Sequence, residues 1–223
     1  MRLAALYSGG KDSTYALYLA VQMGHEIDNL VSIVPADRAS WIFHTPNIGA
    51  VPYMAEAMGF PLVSVASDGS EDGDMEALRN ALSNLDVDGV VVGALWSDYQ
   101  WDRMNRVLGD LDLVMVAPLW RKSQDMIYDE MVAAGVDAII VGVFAEGLDR
   151  SWLGRHIDVG CKDDLKGLRE RYGLSIMGEG GEYESMTLDS PLHRKRLVAK
   201  DFTIECGRYT GTMDVSSIVL EDK

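Results

Sequence analysis

The feature that most limits the fold of this chain is the run Ser8-Gly9-Gly10-Lys11-Asp12-Ser13. It sits between a short apolar stretch at 3–7 and a segment of helical period at 12–23. An apolar stretch, a glycine turn and then a helix make the strand–loop–helix unit of a parallel sheet. The two glycines permit a tight turn and leave backbone N–H groups uncovered. With a helix N-terminus behind them, those groups form a nest for an anion. Lys11 adds a positive charge, and Ser8 and Ser13 add hydroxyl donors. Asp12 is the odd member, a carboxylate beside an anion site, and two roles are open to it: capping the helix or holding Mg²⁺. The spacing is too tight for the G-x-x-x-x-G-K-[ST] phosphate loop.

The same alternation continues. Strands are predicted at 3–7, 30–34, 62–65, 87–92 and 113–116, with helices at 12–23, 48–58, 71–84 and 98–108 between them. Strand runs apolar enough for burial on both faces, separated by helices, predict an α/β fold: a doubly wound, five-stranded parallel sheet of Rossmann-like type. Such a sheet binds its ligands at the C-terminal ends of its strands. After Pro118-Leu119-Trp120 the pattern loosens into a helix at 124–134, a strand at 138–143, a glycine-rich segment, and strands near 184–188, 197–204 and 213–220. The expected division is a nucleotide-binding domain over 1–120 and a smaller α+β domain over 121–223.

Composition narrows the function classes. Asp and Glu number 35 against 20 Lys and Arg, a formal charge of −15. A protein that grips nucleic acid by its phosphates needs a basic surface, and the one basic cluster, His193-Arg194-Lys195-Arg196, is short. No nucleic-acid partner is expected. No apolar run is long enough to cross a membrane, and the first residues enter the glycine loop directly, so they read as a strand and not as a signal peptide. Cys161 and Cys206 lie far apart, as expected of idle thiols in a reducing cytosol. The four histidines have no metal-ligand spacing, so a structural zinc site is not expected.

Four further segments stand where ligands would bind. Gly93-Ala94-Leu95-Trp96-Ser97-Asp98-Tyr99-Gln100 follows the fourth strand, and Pro118-Leu119-Trp120 the fifth. Glu146-Gly147-Leu148-Asp149 precedes Trp152-Leu153-Gly154. Gly178-Glu179-Gly180-Gly181-Glu182-Tyr183-Glu184-Ser185 is a second glycine-rich turn, with three carboxylates. His44-Thr45-Pro46-Asn47, after the second strand, reads equally as a nucleotide contact or as a turn that caps the next helix.

The first loop resembles the SGGxDS signature of the PP-loop ATP pyrophosphatases, which hold the β,γ-pyrophosphate of ATP as a leaving group. With the other segments, the chain resembles the diphthine–ammonia ligase family over residues 1–191, the Gly-Glu-x-Gly-Glu-Tyr block being the most family-specific piece. That resemblance implies ATP- and Mg²⁺-dependent amidation of the diphthine carboxylate of translation elongation factor 2 by ammonium, giving AMP and pyrophosphate in an archaeal or eukaryotic cytoplasm. It implies that Ser8, Gly9, Gly10, Lys11, Asp12 and Ser13 carry the phosphates, Asp12 being the candidate metal ligand. Gly93, Ser97, Asp98, Tyr99 and Gln100 match the motif near the nucleotide. Glu146, Asp149, Glu179, Glu182 and Tyr183 match motifs of the second domain, facing substrate and ammonium. Lys11, Asp12, Glu179 and Glu182 are the catalytic candidates, and Trp152 and Tyr183 are candidates to pack against the diphthine trimethylammonium. The chain departs from the family pattern at Trp101-Asp102, which precede the matching Arg103, and at Glu184, where a histidine is common.

Two rivals share the loop. A tRNA-modifying PP-loop enzyme needs a basic surface, and its sulfur-transfer forms usually need catalytic cysteines. A non-catalytic ATP-binding module has no use for a second turn rich in carboxylates. Oligomeric state is left open, a homo-oligomer included.

Overall fold

The computed structural model describes residues 1–36 and 47–223. Five strands, β1 (Arg2–Leu6), β2 (Glu26–Pro35), β3 (Leu62–Ser67), β4 (Gly89–Val91) and β5 (Val114–Val116), form one sheet in the order β3-β2-β1-β4-β5, every pairing parallel. The crossovers are α1 (Lys11–Gln22), α2 (Val51–Met58), α3 (Glu71–Ser83) and α4 (Asp98–Asp110). The chain builds outward through β2 and β3, then returns to the other side of β1. The C-terminal ends of β1 and β4 therefore flank a topological switch point, where a sheet of this kind leaves a crevice for ligand.

Side-chain alternation along β1 shows how the two faces are covered. Leu3 and Ala5 join a core with Tyr15 and Leu17 of α1 and Met54 of α2. Ala4 faces the other way, into a core with Leu78 and Leu82 of α3 and Met104 and Leu108 of α4. Successive strand residues point to opposite faces, so one short strand serves both layers.

The rest of the chain forms a second sheet, wholly antiparallel, in the order β7-β6-β9-β8. Its strands are β6 (Asp137–Val143), β7 (Tyr183–Asp189), β8 (Lys195–Cys206) and β9 (Gly211–Asp222), accompanied by α5 (Gln124–Ala133) and α6 (Val159–Tyr172). Ile139, Ile140 and Met186 of this sheet belong to the same apolar core as Tyr15, Leu17 and Met54. The two sheets thus share one core across the α1/α2 face, and the second sheet is seated against the start of α1. No helix among the described residues is long and apolar enough to cross a membrane.

Two sequence expectations need correcting. Helix α6 falls where a glycine-rich segment leading into strands was expected. Its buried side is narrow, made of Cys161, Lys162 and Leu165, so its apolar period is faint. Its ends are nonetheless well marked: Asp158 Oδ1 accepts the Cys161 N–H at 2.8 Å, and Gly173 closes the helix at φ 76°. Strand β2 starts at Glu26, four residues before the apolar run, because Arg2 of β1 pairs with Glu26.

Candidate active site

The phosphate-loop candidate lies between β1 and α1, at the switch point. Gly9 sits at φ 81°, and a Cβ there would lie 2.8 Å from Met54 Sδ, so both backbone and packing require glycine. Helix α1 opens at Gly10 with no side-chain cap. Capping is thereby removed from the two roles open to Asp12: its Oδ2 accepts from Lys11 Nζ at 2.8 Å, and its Oδ1 is buried with no partner among the described residues. The first-turn amides have no carbonyl one turn earlier to bond. That of Lys11 donates to Ser185 Oγ at 3.1 Å, while Asp12 and Ser13 line the cavity in front of the helix. Ser8 Oγ and Ser13 Oγ are 3.2 Å apart.

Gly93, at the end of β4, faces this helix start from the other side of the switch point. A Cβ on Gly93 would stand 2.9 Å from the amide nitrogen of Ser13 and 3.0 Å from its Cα. Only a hydrogen in that position lets β4 and the first turn of α1 approach closely enough to form one wall.

That wall belongs to a cavity of about 1100 Å³, which Ser8, Gly10, Lys11, Asp12 and Ser13 share with Gly93, Ser97, Tyr99, Gln100, Glu179 and Tyr183. Apolar groups, among them Leu6, Ile33 and Val92 at the strand ends and Met104 of α4, also line it. The volume suits a nucleotide-sized ligand, and its lining combines polar and apolar groups.

Lys11 is only 2% exposed. Its Nζ donates to Met177 O at 2.6 Å and to Asp12, and lies 4.9 Å from the Tyr183 ring centroid. An ammonium has three protons, so one remains for an anion in the cavity. Glu179 accepts the Trp96 N–H at 3.0 Å. Burial first, and the charge of Asp12 second, push its carboxyl up to about 7. Burial also holds the Tyr183 hydroxyl well above its ordinary range, and that hydroxyl donates to Ile176 O at 2.8 Å.

Other candidates from the sequence stand apart from the cavity wall. Glu182 accepts the N–H groups of Ser175 and Gly180, each at 2.8 Å, and so braces the turn that carries Glu179. Asp98 pairs with Arg121. Glu146 is exposed, and Asp149 accepts the Ser151 N–H at 2.8 Å in the helical turn Arg150–Trp152. Trp152 is buried, with the Arg155 guanidinium 4.6 Å from its ring centroid, and Lys11 covers Tyr183, so each ring already has a cation from its own chain. His44, Thr45 and Pro46 lie outside the described residues. Asn47 bonds to Met213 O and Val215 N of β9, at 2.8 and 2.7 Å.

Two polar groups at the cavity had no role in the sequence reading. Glu71 accepts from Tyr99 Oη and from Arg103 Nε, both at 2.6 Å, and the Arg103 guanidinium stacks 3.3 Å from the Tyr99 ring centroid. An acidic first helical turn directly after β3, at the ligand end of the sheet, was its legible signal. The second, Ser185, reaches the loop from β7 across the sheet junction, which sequence distance hides.

The diphthamide synthase N-terminal domain model matches residues 1–115, and the C-terminal domain model matches residues 122–220. The chain belongs to the diphthine–ammonia ligase family. The relative so named from Danio rerio is 38% identical over 222 residues, covering 89% of this chain and 86% of its own length. The Homo sapiens relative is 36% identical over 221 residues, covering 89% and 82%. Among solved structures, a predicted subunit of tRNA methyltransferase from Methanocaldococcus jannaschii is 13% identical, covers 86% of this chain and 98% of its own, and has a TM-score of 0.47, too slight a likeness to bear on function. In a family of this name, the cavity at the switch point is the candidate active site.

Proposed function

We propose that this chain, a ligase forming a C–N bond, amidates the diphthine carboxylate of translation elongation factor 2 with ammonium, converting ATP to AMP and pyrophosphate. The observation that carries the proposal is a phosphate-loop nest and a buried carboxyl, Glu179, facing one cavity at the switch point. The loop supports ATP as substrate, and family membership supports the acceptor.

A carboxylate is a poor electrophile, because its charge repels nucleophiles and oxide does not leave. Attack of a carboxylate oxygen on the α-phosphorus forms an acyl adenylate and breaks the bond to pyrophosphate. Ammonia then attacks the acyl carbon, and AMP leaves. In this scheme the amides of Asp12 and Ser13, the hydroxyl of Ser8 and the free proton of Lys11 receive charge that moves onto the departing pyrophosphate, while the Ser13 hydroxyl donates to Gly10 O at 3.0 Å. Ammonium must lose a proton before it attacks, and a carboxyl near 7 suits that transfer. Glu179 is the base in this scheme and Glu182 the brace of its turn. Tyr99 and Gln100, beside Gly93, line the nucleotide wall.

Mg²⁺ fits the same place. Asp12 Oδ1 is a buried acceptor without a partner, and no group of three or more His, Cys, Asp or Glu among the described residues forms a protein cage for a metal. A single carboxylate complemented by substrate phosphates and water is the usual arrangement for this ion. Bound there, Mg²⁺ would offset phosphate charge that Lys11 alone does not balance.

The division of labour proposed is ATP binding by residues 1–120 and acceptor binding by 121–223. The cytoplasm is the proposed site of action, because the acceptor is a translation factor. The test is incubation with diphthine-bearing elongation factor, ATP, Mg²⁺ and ammonium, followed by the mass of the modified histidine and nucleotide analysis. The carboxyl-to-amide change should accompany an equal amount of AMP. ADP as the product, or an unchanged histidine, would refute the proposal.

A further inference from the structure

We infer that Ser185, a residue of the second sheet, donates its hydroxyl proton directly to the phosphate end of the nucleotide, so that the anion site is built by both sheets. The inference rests on the ATP reading above and adds to it a binding residue outside the phosphate loop.

Ser185 lies on β7, is 7% exposed, and lines the cavity. Its Oγ accepts the Lys11 N–H, one of the first-turn amides of α1, at 3.1 Å. A serine hydroxyl that accepts one bond still has a proton to give. Among the described residues no acceptor takes that proton. A buried donor of this kind is expected to have a partner, and the space in front of it is the anion nest. A Cβ built on Gly10 would lie 3.5 Å from Ser185 Oγ and 3.6 Å from Ser8 Oγ, so both hydroxyls border the Gly10 position of the loop.

The placement of Ser185 is held by its strand. Two residues along, the Thr187 N–H donates to Gly9 O at 2.9 Å, and Thr187 Oγ1 is 3.0 Å from Thr14 Oγ1. Thr14 Oγ1 in turn is 2.9 Å from the Tyr7 hydroxyl. These contacts fix the register of β7 against the loop, and with it the position of the Ser185 oxygen. The same strand is entered from the turn that carries Glu179.

The test compares Ser185→Thr with Ser185→Val, which have nearly the same shape and differ in the hydroxyl. Pyrophosphate and ATP are titrated calorimetrically, with Mg²⁺ present, into the full chain. A hydrogen bond to a charged group corresponds to roughly ten- to hundredfold in affinity. Ser185→Val should lose that factor for both ligands, and Ser185→Thr should restore it; Val also leaves the Lys11 N–H without its acceptor, so the melting temperatures without ligand are measured beside the affinities. Equal affinities in the two variants, or a Val variant weakened only in proportion to a fallen melting temperature, would overturn the inference. If the unmodified chain bound neither ligand, the ATP reading itself would fail, an outcome distinct from equal binding by the two variants.

Discussion

The backbone N–H of Trp96 donates to Glu179 Oε2 at 3.0 Å, tying the loop after β4 to the glycine-rich turn that enters β7. This bond favours the charged carboxylate, yet burial and the neighbouring charge of Asp12 outweigh it and set Glu179 at about 7. Amidation should therefore rise with pH through about 7 as this group ionises. Glu179→Gln keeps an oxygen for the Trp96 N–H but removes the base, so kcat should fall by roughly 10²- to 10⁴-fold. ATP affinity should be retained. A rate profile flat across that range, or a Gln variant with ordinary turnover, would remove Glu179 from the proton transfer.

The same shift makes a stability prediction of definite sign. Between its ordinary 4.5 and about 7, the folded chain holds a proton on Glu179 that the unfolded chain has lost. Stability from this site therefore falls as pH rises across that window. Glu179→Gln has no such titration, so its melting temperature should gain on the wild type as pH increases from the acid side. A constant gap between the two curves would contradict the shift.

His193 acts in the opposite direction. Its ring is buried, Ser190 Oγ is 2.7 Å from Nδ1, and burial lowers its pKa from 6.5 to about 4. In that window the unfolded chain binds the proton and the folded chain does not, so stability is lost as pH falls from about 6.5 towards 4. The full loss is about 3 kcal/mol. Denaturant titrations over this range should show the decline in wild type and a weaker one in His193→Gln. If the decline is unchanged in that variant, another group causes it.

The parallel sheet was legible because its signals are local: apolar runs, a glycine turn and helical periods in sequence. The strand, glycine turn and helix around residues 8–13 were legible for the same reason. Helix α6 was not, since Cys161, Lys162 and Leu165 make a buried stripe too thin to stand out among glycines and charges. The site was half legible. Glu179 and Glu182 belong to one turn and look alike in sequence, and only the fold turns one towards Asp12 while the other holds the amides of Ser175 and Gly180. Trp152 looked suited to a cation, but burial under Arg155 is a property of packing that no spacing reveals. Ser185 and Thr187 meet the loop through the docking of one sheet on the other, a contact between residues more than half the chain apart.

Gly93→Ala tests the close approach of β4 to α1. The added methyl would meet the Ser13 backbone at 2.9 to 3.0 Å, and backbone cannot step aside as a flexible side chain can. Overpacking of this kind costs roughly 1–3 kcal/mol. Because the strain falls on the helix start, ATP affinity should drop as well as melting temperature. Wild-type affinity in this variant would show that the first turn of α1 does not depend on the approach.

Lys11 has two tasks that a single substitution removes together. Its ammonium is proposed to meet phosphate, and it also joins Asp12 to Met177 O, just before the turn of Glu179. Lys11→Ala should abolish AMP formation and also destabilise the chain by about 1–3 kcal/mol, because it leaves the half-buried Asp12 carboxylate and the Met177 carbonyl without their donor. Asp12→Asn in the same chain removes the stranded charge and should recover part of that stability while activity stays absent. Chemical denaturation of the two single variants and the double variant measures the coupling directly. If the stability losses simply add, the ion pair contributes nothing, and Lys11 serves the phosphates alone.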